Sequence, residues 1–168
     1  MNRVFYRYIR PISFDPKRMD FNTQPRGGVC LRFEKLGETD DVLFTYSRCH
    51  PDDHFSKSVA KKVADHRAGL AKTDVRLAEA MAPNMNGIEE DSETLTCFLI
   101  AYCREFDASK YPFLISHYLA IEWLGFADAL ERIMRHNQRE KEIARIWQTA
   151  AGAMEMAEAY KNHVPANG

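Results

Sequence analysis

The hydrophobic pattern of this chain changes period partway along, and that change limits the possible folds more than any other feature. Apolar and polar residues alternate over residues 3–9, 29–34 and 42–47, which is the period of a β-strand. From Phe55 onward, apolar residues recur every three or four positions, which is the period of an α-helix. We therefore expect an α+β protein with its strands in the first part and its helices in the second.

The three alternating segments predict a three-stranded antiparallel sheet. A polar turn at 37–41 joins the second and third segments, so these two form a hairpin. Residues 14–28 hold two prolines and two glycines without a sustained period, which predicts a long loop. Asp52 or Asp53 can cap a helix that covers the sheet. We expect the apolar residues of that helix to form one buried face: Phe55, Val59, Val63, His66 and Leu70.

The second part of the chain predicts a bundle of three to four helices. Its helical periods are 94–106, 112–124, 126–136 and 138–162, and a short helical stretch at 73–81 precedes the bundle. The apolar stripe changes its angular phase at Gly125, so we expect the helix to break or bend there. Residues 94–103 could instead be a buried strand.

The charge of the chain is divided unevenly between its two parts. Residues 1–70 carry 13 Lys and Arg against 9 Asp and Glu, and residues 71–168 carry 10 against 15. An acidic segment at 89–93 marks a boundary between a strand-rich part, 1–88, and a helical part, 89–168, although the two could form one compact domain. The net charge of −1 lacks the basic excess typical of nucleic-acid-binding proteins.

Several sequence features indicate a cytoplasmic protein. The longest apolar stretches, 96–102 and 118–124, are too short to cross a bilayer, so we expect no membrane contact. Arg7 and Arg10 interrupt the apolar run that a signal peptide would need. The four cysteines form no Cys-x-x-Cys pair, which favours free thiols in a reducing compartment.

The last helix carries an apolar stripe that predicts contact with another helix. Its members are Ile143, Ile146, Trp147, Ala150, Met154 and Ala157. The small residues Ala151, Gly152 and Ala153 allow a second helix to approach closely. The stripe could pack within the chain, or it could form a homodimer through the C-terminal helix.

One cluster of chemically reactive side chains lies at the end of the third strand. Residues 49–54 read Cys-His-Pro-Asp-Asp-His and include five metal-binding or acid–base groups. A metal-assisted hydrolase could use Cys49, His50, Asp52 and His54. However, Pro51 prevents a shared helical face, and the spacing matches no zinc motif. The same residues also fit a strand end, a turn and a helix cap, and we expect neither a metal nor a cofactor.

A second cluster combines basic and aromatic residues near the amino terminus. Its candidate binding residues are Arg3, Tyr6, Arg7, Tyr8, Arg10, Lys17, Arg18 and Arg26, and two helical lysines, Lys57 and Lys61, could extend it. Arginines can hold phosphates while aromatic rings stack on bases, so single-stranded nucleic-acid binding is one interpretation. The alternation of a strand, with core aromatics and solvated arginines, explains the same pattern.

The segment 44–67 contains Phe44 and Cys49 in Phe-x4-Cys and then Asp53-x-Phe55-Ser56-Lys57, followed by Ala60, Ala64 and Arg67. With these residues it resembles small uncharacterised accessory proteins of phages and mobile genetic elements. The chain departs from that pattern at Ala60 and His66, where glycines are expected. The resemblance implies an accessory protein that handles nucleic acid or blocks a host defence complex. We therefore predict a non-catalytic binding protein whose partner is a host protein or protein complex.

Overall fold

The computed structural model describes residues 3–35, 38, 42–72, 92–105 and 118–163. Its elements, in chain order, are β1 (Val4–Ile9), β2 (Ile12–Asp15), β3 (Asp20–Thr23), β4 (Arg26–Lys35), β5 (Val42–His54), α1 (Lys57–Ala71), α2 (Ser92–Glu105) and α3 (Tyr118–His163). Strands β1, β4 and β5 form an antiparallel sheet with β4 in the centre, and β2 pairs with β3 in a separate hairpin. The predicted mixed fold with a three-stranded antiparallel sheet is confirmed.

The β2–β3 hairpin corrects the prediction of a long loop at 14–28. Phe14 lies opposite Phe21, and the centroids of their rings are 5.5 Å apart. Helix α3 holds the hairpin from outside, because the Asn137 side chain accepts a hydrogen bond from Ile12 N and Glu140 accepts one from Phe14 N. These partners are more than a hundred residues away in the sequence, so no local pattern could reveal them.

One face of the sheet forms the main core with helices α2 and α3. Leu31 and Phe33 of β4 are fully buried there, together with Tyr46 of β5. The ring of Tyr46 stacks on Phe126 of α3 with centroids 3.9 Å apart. Strand β4 is buried along almost its whole length because α1 covers the opposite face of the sheet.

Helix α1 packs on the sheet through alanines and not through the predicted face. Its buried residues are Ala60, Ala64, Ala68 and Ala71, whereas Val59 is 57% exposed and His66 is exposed. Of the predicted face, Phe55 is half-buried and packs against Cys30, Ala60 and Ala64. The prediction is wrong at Val59 and His66, because the sheet beneath α1 already carries large side chains and small residues allow closer approach. Strand β5 continues to His54, so the N-cap is Ser56 and not Asp52 or Asp53.

The alanine face gives a direct test of how α1 packs. The carbonyl of Ala64 accepts a hydrogen bond from Thr45 Oγ1 at 3.0 Å, and the carbonyl of Ala60 accepts one from Ser47 Oγ at 2.8 Å. We expect Ala64→Leu to lower the free energy of unfolding by about 1–3 kcal/mol, because the larger side chain must push α1 away from these hydroxyls. Urea denaturation measures the change.

The matched control for that prediction is Val59→Leu on the exposed side of α1. We expect this substitution to change stability by less than about 0.5 kcal/mol. Equal stability of the two variants would contradict the alanine interface.

Helices α2 and α3 pack against each other and against the sheet. The segment 94–103 is helical, which resolves the alternative between helix and strand. Arg104 of α2 forms ion pairs with Asp128 and Glu131 of α3. The predicted helix at 73–81 and the proposed domain boundary near residue 88 lie outside the described residues, as does the start of the predicted helix at 112–124. The bundle beyond α2 and α3 therefore stays a prediction.

The expected break at Gly125 is wrong, because α3 continues without interruption from Tyr118 to His163. A Cβ atom on Gly125 would lie 2.9 Å from Nη1 of Arg48. The guanidinium of Arg48 therefore packs close to the backbone of Gly125. Beyond Gly125, Phe126 and Leu130 are buried in the main core, whereas most of the second half of α3 is exposed.

Candidate functional site

Four of the predicted binding residues form one cluster between β1 and α1. The Lys61 ammonium lies 4.4 Å from the centroid of the Tyr6 ring, and Lys57 lies 5.0 Å from that of Tyr8. The Tyr6 hydroxyl donates a 2.6 Å hydrogen bond to Asp65, and burial followed by this bond raises the pKa of Tyr6. The lysines therefore lie over the two rings that base stacking would need.

A network of charged side chains links this cluster to the sheet. Arg32 donates to Glu34 at 2.7 Å and to Asp65 at 2.8 Å, and Lys72 donates to the other oxygen of Glu34 at 2.6 Å. The side chains of Arg32 and Glu34 are 9% and 4% exposed. Burial lowers the pKa of Arg32, but the bonds to Glu34 and Asp65 outweigh that effect and raise it. This network stabilises the junction of sheet and helix.

Arg10, another predicted binding residue, forms hydrogen bonds with the backbone that leads from β3 into β4. Its guanidinium donates to the carbonyls of Gly27 at 3.1 Å and Gln24 at 2.7 Å, and it lies 3.9 Å from the centroid of the Phe55 ring. Gly28 has φ +130°, and a Cβ atom there would lie 2.6 Å from Cδ of Arg10. The side chain of Arg10 therefore packs directly against the backbone of Gly28, where no side chain would fit.

Five of the predicted residues, Tyr6, Arg7, Tyr8, Arg10 and Lys57, line one groove beside β1, whereas Arg3, Lys17, Arg18 and Arg26 do not line it. Arg3 and Arg7 are exposed on β1, and Lys17 and Arg18 are exposed in the turn between β2 and β3. Arg26 begins β4 at the far end of the sheet, beside the irregular pairing with β5. The structure thus does not bring the ten predicted residues into one continuous patch.

The structure instead forms a cationic cavity that includes only one of the predicted residues. It has a volume of about 590 Å³ and lies between α3 and the end of the sheet formed by β4 and β5. We call it the basic cleft, after its cationic or titratable lining residues: Arg26, Arg48, His50, Arg132 and His136. No Asp or Glu side chain occurs among the described residues that line it.

An irregularity in the sheet shapes the basic cleft. Arg26 pairs with His54 but Gly28 pairs with Cys49, so β5 carries several extra residues at this point. Gly27 has φ +72°, and a Cβ there would lie 3.4 Å from Cα of Pro51. Extra residues of this kind bend a strand, and His50 and Pro51 of this part of β5 line the cleft together with residues of α3.

Helix α3 provides the opposite wall of the basic cleft. Arg132 and His136 are one helical turn apart, so they project from the same face of α3. His136 Nε2 lies 2.7 Å from the carbonyl of Ile12 and 3.3 Å from Gln24 Nε2, which fixes the imidazole beside the hairpin. Arg48, His50 and Arg132 are exposed and can reach a ligand.

The predicted metal cluster does not converge. His50 Nδ1 lies 3.7 Å from Asp52 Oδ2, and Cys49 Sγ lies 3.4 Å from the backbone carbonyl of Asp53. Across the described ranges, 3–35, 38, 42–72, 92–105 and 118–163, no three His, Cys, Asp or Glu side chains are grouped so that they could hold a metal ion.

The residues that sequence reasoning missed are Arg48, His136 and Arg132. Arg132 and His136 could have been grouped from the sequence, because residues four positions apart share one face of a helix, and the small residue Ala129 lies on the same face. Arg48 follows a predicted strand and carries no signal of its own. Their convergence depends on how α3 crosses the end of the sheet, which local patterns do not specify.

Comparisons with known proteins give no relatives. No model of a protein family matches the chain, no curated protein matches it, and no solved structure resembles it. Within the described residues, no helix combines the length and the apolar character that a membrane span requires.

Proposed function

We propose that this chain is a non-catalytic binding protein that holds acidic groups of a partner in the basic cleft. The observation that carries the proposal is the lining of the cleft, because Arg26, Arg48 and Arg132 line one cavity and none of the described lining residues is a carboxylate. Asp52, which does not line the cleft, lies 3.7 Å from His50. Side chains of like charge repel one another, so a fold that groups them gains from an anionic partner.

The chemistry of the lining favours carboxylates or phosphates as the bound groups. Arg48 and Arg132 each have a planar fork of N–H donors that matches such anions, and Arg26, whose Nη1 donates to the carbonyl of Asp52 at 2.5 Å, keeps its other donors. The imidazoles of His50 and His136 can each add an N–H donor. The volume of about 590 Å³ accommodates one or two acidic side chains of a partner.

The proposed partner is a host protein or protein complex that defends the cell or processes nucleic acid. The segment 44–67, which resembles accessory proteins of phages and mobile elements, includes Arg48 and His50 and so supplies one wall of the basic cleft. A small protein of such an element would inhibit the host complex by covering an acidic surface. We propose a cytoplasmic location for the same reason.

Single-stranded nucleic-acid binding is the second candidate. The three arginines of the cleft favour it, since they can bind phosphates as well as carboxylates. The described lining of the cleft contains no Phe, Tyr or Trp, and lysines lie over the rings of Tyr6 and Tyr8. Because base stacking supplies much of the affinity for single strands, this geometry favours an acidic protein surface.

The experiment that tests the proposal compares two labelled probes by fluorescence anisotropy. One is a hexaglutamate peptide and the other is an oligothymidine strand, each titrated with the purified protein at low and at moderate salt. We expect saturable, salt-sensitive binding of the peptide. Tighter binding of the oligothymidine strand would favour the second candidate, and no binding of either probe at low salt would contradict both.

The metal-assisted hydrolase proposed for Cys49, His50, Asp52 and His54 has no support in the described geometry, since these side chains are not grouped around a shared point. Bound zinc or manganese in the purified protein, with hydrolytic activity that depends on it, would restore this alternative.

The exposed stripe on α3 supports the predicted homodimer. Every residue from 145 to 163 is exposed except Ala151 and Gly152, and the exposed residues include Trp147 at 49% and Met154 at 70%. An apolar stripe of this length rarely faces water on a monomer. We propose that a second copy covers it, because a two-fold axis pairs one surface with itself and the small residues allow close contact.

Light scattering after size-exclusion chromatography tests this dimer. We expect the wild-type chain to have twice the mass of one chain, and Trp147→Glu to have the mass of one. Gln148→Glu, which lies about 100° around the helix from Trp147 and outside the apolar stripe, adds the same charge and is the matched control that should remain dimeric. A wild-type chain with the mass of one copy would contradict the proposal.

A further inference from the structure

Strand β1 lies at the edge of the sheet, whose order is β1-β4-β5. Lys35 N donates to the carbonyl of Arg3, and these two residues lie in the register that pairs Val4 with Glu34. In an antiparallel pair, hydrogen-bonded positions alternate along the strand. Arg3, Phe5 and Arg7 therefore point their backbone groups toward β4, whereas Val4, Tyr6 and Tyr8 point theirs away from the sheet.

An open groove runs along this edge. Its volume is about 550 Å³, and the residues that shape it are Tyr6, Arg7 and Tyr8 of β1, Ile12 of β2, Lys57 of α1 and Leu95 of α2. We call it the edge groove. None of the described residues that line it is a carboxylate. No strand in the described part of the chain lies beyond β1.

We propose that an extended acidic peptide segment of a partner protein adds to β1 as a fourth strand. The outward N–H and C=O groups of Val4, Tyr6 and Tyr8 supply a template for backbone hydrogen bonds. β1 holds six residues without proline and pairs regularly with β4, so neither proline nor a bulge blocks the edge. The edge groove leaves room for the side chains of the added strand.

The charges of the edge groove select an acidic segment. Arg7 is exposed on one face of β1 and Lys57 lies on the other, so acidic side chains of the added strand meet a cation on either face. Ile9 and Leu95 provide an apolar wall beside Arg7, which favours a segment with acidic and apolar residues in successive pairs, because alternate residues of a strand face the same side and each side then carries both kinds. A second copy of β1 fits poorly, because it would bring Arg3 and Arg7 of two copies into one ladder.

The edge groove is distinct from the basic cleft. Pro11 and Gln24 line the cleft, whereas Ile12 and Thr23 line the groove, so the two cavities flank opposite sides of the β2–β3 hairpin. The inference rests on the strand order and the groove, and it does not depend on anion binding in the cleft.

The test uses the heptapeptide Glu-Glu-Val-Val-Glu-Glu-Val, which presents glutamate and valine on both faces of an added strand, titrated into 15N-labelled protein and followed by NMR. At saturation we expect the amides of Val4, Tyr6 and Tyr8 to exchange at least about tenfold more slowly, because they now donate to the added strand. The amides of Phe5 and Arg7 already face β4 and should keep their rates. Unchanged exchange at Tyr6 and Tyr8 would overturn the proposal.

Two control peptides separate strand addition from simple charge attraction. A peptide with N-methyl groups on alternate backbone nitrogens keeps its charge but loses its donors, and we expect no slowing of exchange. A peptide in which lysine replaces glutamate should not bind. If the N-methylated peptide bound as tightly as its parent, the backbone pairing would be refuted.

Variants of the protein locate the peptide. We expect Arg7→Glu to weaken binding at least about tenfold, whereas Lys35→Glu, at the exposed end of β4, should leave it unchanged. Reversal of Arg48 and Arg132 in the basic cleft should also leave it unchanged. If the cleft variant lost peptide binding while the Arg7→Glu variant bound as tightly as the wild-type protein, the proposal would be overturned and the peptide would be placed in the cleft.

Discussion

Arg32→Met is expected to lower the free energy of unfolding by about 3–5 kcal/mol, which is the cost of breaking a buried ion pair from one side. The substitution leaves the Glu34 carboxylate buried, with its side chain 4% exposed, and removes its ion pair with Arg32, while its ion pair with Lys72 remains. It also removes the bond from Arg32 to Asp65, which joins the sheet to α1. Urea denaturation followed by circular dichroism measures the loss.

Two further variants make this prediction specific. Arg18→Met, in the exposed turn between β2 and β3, removes the same charge and should change stability by less than about 0.5 kcal/mol. The double variant Arg32→Met, Glu34→Met removes both buried charges and should be more stable than Arg32→Met alone. A single variant as stable as the wild-type protein would show that the network contributes nothing.

Reversing two arginines of the basic cleft is expected to have the largest effect on binding. Arg48→Glu together with Arg132→Glu should weaken the binding of hexaglutamate by at least about 100-fold, since each charged hydrogen bond contributes about 1.5–3 kcal/mol. The two residues come from opposite walls of the cleft, so both contacts are lost together. Anisotropy titration gives the ratio of the two dissociation constants.

The control for this variant changes the net charge equally but lies outside the cleft. Arg139→Glu together with Lys141→Glu reverses two exposed positions of α3 that do not line it. We expect this variant to bind hexaglutamate within about threefold of the wild-type protein, because distant exposed charges are screened by salt. Equal losses in both variants would mean that only the net charge matters.

The sheet could be predicted from the sequence because its signals are local. Alternation over residues 3–9, 29–34 and 42–47 corresponds to β1, β4 and β5, and the polar turn gave the pairing of the last two. The hairpin of β2 and β3 could not be predicted, since its backbone is held by Asn137 and Glu140 of α3. Such long-range partners leave no period in the sequence.

The orientation of α1 shows how tertiary packing overrides a local pattern. The apolar pattern predicted that Val59 and Val63 face the sheet. However, the face of the sheet beneath α1 is filled by Tyr6, Tyr8 and Arg32. Only alanines fit against that surface. The helix was predictable, whereas the buried face depends on side chains from other elements.

The candidate site was predictable only in its chemical type. A surface rich in arginine was expected near the amino terminus, but of the ten predicted residues only Arg26 lines the basic cleft. Tyr6, Tyr8, Lys57 and Lys61 are instead engaged with one another between β1 and α1. The cleft depends on the crossing of α3 over the bent end of β5, a feature of the tertiary structure.

The central claim, that the basic cleft holds acidic groups of a partner, is tested most directly by NMR of the arginine side chains. Hexaglutamate is titrated into protein labelled with 15N at arginine, and the Nε–Hε signals are followed. We predict saturable shifts of Arg26, Arg48 and Arg132, while Arg3 and Arg139 stay unchanged. Shifts confined to other arginines, or no shifts at saturating peptide, would contradict the account.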